Sequence, residues 1–199
     1  LSGLMSLAPT TESEPPSNDL RMPYYIQLST NLTDIQSLLF TQGGRYLIGS
    51  SQAGVRIWET AKFAEGLYYQ PPNAIYPAAI SPDQKWLVTS GSDKTVQIYD
   101  IENILSSPAV IPVEKNIVTH FAFDQINDWL AVANKTGDIL IYQLPIAGYP
   151  VVPVYSLQGP NDEITWLEFS PLGSKGNWLV ASSGEEVYLW NMISPNDKS

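Results

Sequence analysis

A stretch of about forty residues recurs four times along this chain, and no other feature restricts its possible folds as strongly. The copies are SLLFTQGGRYLIGSSQAGVRIWE from Ser37, PAAISPDQKWLVTSGSDKTVQIYD from Pro77, HFAFDQINDWLAVANKTGDILIYQ from His120 and WLEFSPLGSKGNWLVASSGEEVYLWN from Trp166. A unit this short cannot cover its own apolar face, whereas neighbouring copies stacked on one another can.

Each copy opens with alternating apolar residues, the mark of a short strand: Leu38 and Phe40, Ala78 and Ile80, Phe121 and Phe123, Leu167 and Phe169. An aromatic follows six residues later at Tyr46, Trp86 and Trp129, and nine later at Trp178, where a Gly-Ser-Lys-Gly tip absorbs the extra length. A further aromatic comes 12 or 13 residues beyond, at Trp58, Tyr99, Tyr142 and Trp190. Before it, Val55 and Ile57, Val96 and Ile98, Ile139 and Ile141, and Val187 and Leu189 alternate with other residues. Between these two runs lie SSQAG, SGSDK, NKTGD and SSGEE, small and polar as a tight hairpin requires. The pattern predicts three antiparallel strands per copy. An apolar spacing of two, with frequent Gly and Pro, rules out helices. The proline-rich connectors YYQPPN, SSPAVIPVEKN and PIAGYPVVPVYSLQG suit outer edge strands and loops.

These residues resemble WD40 repeats, most plainly Ile80 to Asp100 and Phe169 to Asn191, and the resemblance spans roughly residues 35 to 191. It implies an all-β chain, a WD40-type β-propeller with four-stranded blades about a central channel. The sequence also departs from the family pattern. The Gly-His pair that often opens a repeat is missing, and the closing Trp-Asp becomes Trp58-Glu59, Tyr99-Asp100, Tyr142-Gln143 and Trp190-Asn191. Of the family's His, Asp and Trp network only Asp93 is well placed, so the blades are expected to hold by apolar packing. Four blades' worth of repeats is too few for the usual ring, which implies an incomplete ring or part of a larger one. Residues 1–21 are expected to be a flexible linker or tail. Residues 22–199 are expected to hold the repeats, at approximately 22–59, 60–100, 101–143 and 144–191, with Met22 to Ser29 as a strand ahead of the first. The opening LSGLMSLAPT lacks a charged n-region and reads as a start inside a longer protein.

Charge narrows the partners. With 20 acidic and 10 basic residues the net charge is −10, which repels phosphate backbones and anionic lipid, and the basic residues form no run. Neither nucleic acid nor membrane insertion is expected. The absence of cysteine excludes thiolate chemistry and fits a cytoplasmic location.

Candidates for chemistry are few. One histidine, His120, would have to anchor any Ser-His-Asp triad, and no nucleophile elbow or HExxH accompanies it; a structural role is the stronger reading. The carboxylates Asp162 and Glu163, Glu185 and Glu186, and Asp124 with Asp128 lie at expected turns or strand ends, where solvation accounts for them better than an acid/base pair or a calcium site. The doublets Gly43-Gly44 and Gly91 with its serines read as hairpins, not phosphate loops. Tyr24, Tyr25, Tyr68, Tyr69, Tyr76, Tyr149 and Tyr155 fall outside the repeated positions and are either contact anchors or outer-strand packing. No catalytic, cofactor or metal residues are therefore expected. The leading function is a non-catalytic protein–protein interaction scaffold, whose partners are other proteins or further blades from the same or another chain. The alternative is the sensor or regulatory portion of a larger enzyme or signalling protein. A hydrolase or lyase with its site in the channel comes third, with His120 as its only histidine.

Overall fold

In a computed structural model the described residues are 4–6, 27–28, 31–65, 67–113, 117–145, 152–171 and 176–192. The chain divides into two compact units, Leu1–Tyr76 and Pro77–Ser199.

The first unit holds one antiparallel sheet of β1 (Leu4–Ser6), β2 (Ser37–Phe40), β3 (Tyr46–Ser51), β4 (Gly54–Glu59) and β5 (Leu67–Tyr69), ordered β1-β5-β4-β3-β2. Leu4–Ser6, from the segment expected to be a tail, instead pairs with β5, which satisfies backbone groups that an open edge would leave to water. The rest of residues 1–21 lies outside the described residues, as does Met22 to Ser29 apart from Gln27 and Leu28, which are not in a strand. The core is Ile48, Val55, Ile57 and Trp58, none more than 2% exposed. Arg56 is buried too; its guanidinium lies 4.9 Å over the Tyr68 ring and donates to the Val55 carbonyl at 3.1 Å.

Three sheets follow. The second comprises β6 (Ala74–Ile80), β7 (Trp86–Gly91), β8 (Thr95–Asp100) and β9 (Ala109–Pro112) in that order. The third comprises β10 (Val118–Phe123), β11 (Trp129–Asn134), β12 (Ile139–Gln143) and β13 (Tyr155–Leu157). The fourth comprises β14 (Trp166–Phe169), β15 (Trp178–Ser183) and β16 (Glu186–Asn191). Every predicted aromatic opens a strand: Tyr46 β3, Trp86 β7, Trp129 β11 and Trp178 β15. Strands β5, β9 and β13 come from the proline-rich connectors, and Pro112 ends β9 at a sheet edge, where a missing N–H costs no ladder bond. Repeat and sheet are thus offset, because the strand leading each stretch of sequence completes the sheet before it.

Register explains the conserved spacing within the chain. The closing aromatic of each sheet sits opposite a leucine one residue after the opening aromatic: Leu47 faces Trp58, Leu87 faces Tyr99, Leu130 faces Tyr142 and Leu179 faces Trp190. A hairpin that kept 12 or 13 residues between its aromatics keeps this cross-strand pair, worth up to about 1 kcal/mol each beyond alanine.

Within the second unit, alternation sends successive side chains of each strand to opposite sheet faces, and both faces of the third sheet pack on a neighbour. Leu130, Val132, Phe121 and Tyr142 of the third sheet pack on Val88, Val96 and Ile98 of the second. From its other face, Trp129, Ala131, Ala133, Ile139 and Ile141 pack on Leu167, Phe169, Leu179 and Ala181 of the fourth. Fully burying each large aliphatic here contributes about 1.5–3 kcal/mol, so this stacking is the main source of cohesion.

Candidate functional site

Two surfaces of the second unit have the character of a site: a cleft between turns and an open sheet face.

The cleft begins with the turns that leave the first strand of each sheet. In the second sheet, Ser81 N donates to the Trp86 carbonyl at 2.8 Å, and its Oγ accepts from Trp86 N at 2.9 Å. The same hydroxyl donates to Asp83 Oδ1 at 2.6 Å. Thr41 with Tyr46 and Ser170 with Trp178 repeat the hydroxyl's role in the first and fourth sheets, accepting at 2.9 Å and 3.0 Å. In the third sheet the equivalent position is Asp124, only 4% exposed. Its carboxylate accepts from Ile126 N at 3.2 Å, Asn127 N at 2.9 Å and Asn127 Nδ2 at 2.7 Å. It also accepts from Asn177 Nδ2 of the fourth sheet at 3.1 Å, a tie between neighbouring sheets across 53 residues of sequence.

These two turns and Leu144 bound a cavity of about 230 Å³ lined by Ser81, Asp83, Trp86, Phe123, Asp124 and Asp128, among others. Burial pushes the Asp83 carboxyl up. The Ser81 hydroxyl, the Lys85 backbone N–H and the Lys85 ammonium, 3.2 Å away, together outweigh that and hold it below its ordinary value. The carboxylate oxygens of Asp83 and Asp124 already serve the turns, accepting from Ser81 and Lys85 in one and from Ile126 and Asn127 in the other. Asp128, at φ 54, occupies the left-handed position that ends its turn. The cavity is an aromatic-walled, acidic pocket, and its carboxylates have structural work within it.

The other candidates are separated. His120 lies in β10, half-buried; burial pushes its pKa down, while a hydrogen bond to the Ile164 carbonyl and the Glu163 carboxylate pull it up. Its Nδ1 is buried with no partner among the described residues. Asp162 and Glu163 precede β14, with Glu163 4.0 Å from Lys135. Glu185 and Glu186 are exposed at the β15–β16 hairpin, where Glu186 accepts from the Tyr188 hydroxyl. No three metal-binding side chains converge among the described residues. Asp93, the expected remnant of a family network, accepts from Thr95 Oγ1 at 2.6 Å inside its own hairpin. Of the tyrosines outside the repeated positions, Tyr68 packs on Trp58 and Tyr155 meets Trp129 edge-on at 5.4 Å, both as outer-strand packing. Tyr24, Tyr25 and Tyr149 lie outside the described residues.

The open face belongs to the fourth sheet. Its outward side chains include Trp166, Val187 and Leu189, exposed by 59%, 64% and 61%. The alternation that marks Val187 and Leu189 as strand residues carries no signal for their exposure, because the third sheet's equivalents, Ile139 and Ile141, alternate in the same way and are fully covered. No helix among the described residues is long and apolar enough to cross a membrane.

The comparisons agree with this geometry. The family described as "WD domain, G-beta repeat" matches residues 74–100, the one repeat that keeps both the turn Asp93 and a closing aromatic-Asp pair. No curated protein sequence matches the chain. Among solved structures, the Myceliophteria thermophila Cps50 (Swd1) β-propeller domain is similar at TM-score 0.65 and 18% identity, over 86% of this chain. A chain of a mitotic checkpoint complex is similar at TM-score 0.59 and 15% identity, over 87% of this chain. This chain spans 56% and 57% of those two chains. Residues 74–100 thus match a WD40 repeat, and the chain has the fold of β-propeller blades.

Proposed function

We propose that this chain is a non-catalytic protein–protein interaction scaffold. The observation that carries the reading is the fourth sheet's face, where Trp166, Val187 and Leu189 stand exposed on hydrogen-bonded antiparallel strands. Large apolar side chains held rigidly in water mark contact surfaces, since little entropy remains to be lost when a partner covers them. The carboxylates of the cleft support the same reading, because they brace turns and Asp124 joins two sheets. A photo-crosslinking amino acid at position 187 tests it. Protein adducts are expected there and not at Lys94, an exposed turn residue of the second sheet; equal labelling at both positions would overturn the assignment of this face.

A further inference from the structure

The open face rests on the scaffold reading above, and its equivalents inside the chain say what covers it. At the same repeat positions Val96 and Ile98 of the second sheet are 0% and 3% exposed, and Ile139 and Ile141 of the third are both 0% exposed. Each of those pairs lies in a core shared with the next sheet along. The fourth sheet's Val187 and Leu189 have the same aliphatic character and strand positions but stand at 64% and 61%. The covering groups in the intact contact are also known. They come from the following sheet's first strand, Leu167 and Phe169, 6% and 5% exposed against the third sheet.

A free copy of that covering surface exists in the chain. Leu38 and Phe40 of β2 occupy the positions of Leu167 and Phe169, and both are 61% exposed. The chain therefore carries, uncovered, both halves of a contact that it makes elsewhere with itself. We infer that two copies associate head to tail, the β14–β16 face of one against the β2–β3 face of the other. The contact continues the stacking between the third and fourth sheets. A head-to-tail contact closes into a ring when the rotation allows and otherwise propagates. The net charge of −10 on each copy opposes the contact and added salt screens it, so association strengthens as ionic strength rises.

Light scattering on the whole chain, with Leu189→Glu and Phe40→Glu variants, tests this. The unaltered protein is expected at twice the 22.0 kDa chain mass or a higher multiple, and each variant alone at the single mass. Mixing the two variants should restore a doubled mass, because the intact Phe40 face of one then meets the intact Leu189 face of the other. Both side chains are exposed, so unchanged circular dichroism and melting temperature should accompany the loss; if a variant melts early, Val187→Asp or Leu38→Asp replaces it. A single-mass native protein at high salt, variants that stay paired, or a mixture that stays single would each overturn the inference. Loss of crosslinked partners from Leu189→Glu in a protein that is always single would sink the self-association and leave the scaffold standing.

Discussion

At the residue scale the informative position is Asp124. Elsewhere the turn after the first strand uses a hydroxyl, Thr41, Ser81 or Ser170, which accepts from the backbone N–H of the opening aromatic. A carboxylate there accepts three bonds within the turn and reaches Asn177 besides. Asp124→Ala should cost about 2–4 kcal/mol, since it strands several buried donors together. Asn177→Ala should cost about 1 kcal/mol, and the double variant less than the sum if the bond between sheets contributes. Strict additivity in urea denaturation would show that it does not. His120 is the second such residue. Its folded pKa lies below the ordinary 6.5, chiefly through burial. As pH falls through about 6.5 the unfolded chain binds a proton that the folded chain still refuses, so stability drops until the folded value is passed. His120→Gln should flatten the pH dependence in that window relative to the unaltered protein. Equal slopes from pH 7 downward would contradict the assignment.

Elements were legible where the information is local. Alternation and aromatic spacing located β3, β7, β11 and β15 at their first residues, and the hairpin compositions located the turns between them and the strands that follow. What the sequence could not show is long-range: that β5, β9 and β13 complete the sheet before them, that Asp83 and Asp124 border one cavity, and that Asn177 meets Asp124. Those facts depend on which sheet lies beside which, and no periodicity encodes that. The open face was illegible for the same reason, as Leu38 and Leu167 read alike and differ only in having a neighbour. The β11–β12 hairpin shows how tightly a local element is bound by its surroundings. Gly137 has φ +87, and an added Cβ would lie 1.5 Å from the Pro160 carbonyl oxygen, which belongs to backbone and cannot step aside cheaply. Gly137→Ala should cost more than about 3 kcal/mol, combining left-handed strain with a backbone clash. The control Gly184→Ala, at φ +56 with open space around it, should cost about 1 kcal/mol, from strain alone. Similar losses at both sites would show that the Pro160 contact is relieved without penalty.

For the whole molecule, cohesion from sheet stacking implies an uneven map of local stability. Strand β11 is buried at every residue, and both of its faces are packed, one on the second sheet and one on the fourth. Strand β16 is bonded along one edge to β15 among the described residues, and its outward side chains face water. Opening β16 breaks one ladder and uncovers little apolar surface, while opening β11 breaks two ladders and two cores. Backbone amides of β11 should therefore exchange with solvent slowest in the second unit, at rates approaching global unfolding, and those of β16 among the fastest of its strands. The same measurement bears on self-association, because a second copy seated on Val187 and Leu189 would add apolar contacts that β16 lacks when alone. Protection at β16 should then rise with protein concentration while that at β11 stays fixed. Strands β11 and β16 exchanging alike at low concentration would mean that the unit opens as one body, and that stacking does not grade its stability from sheet to sheet.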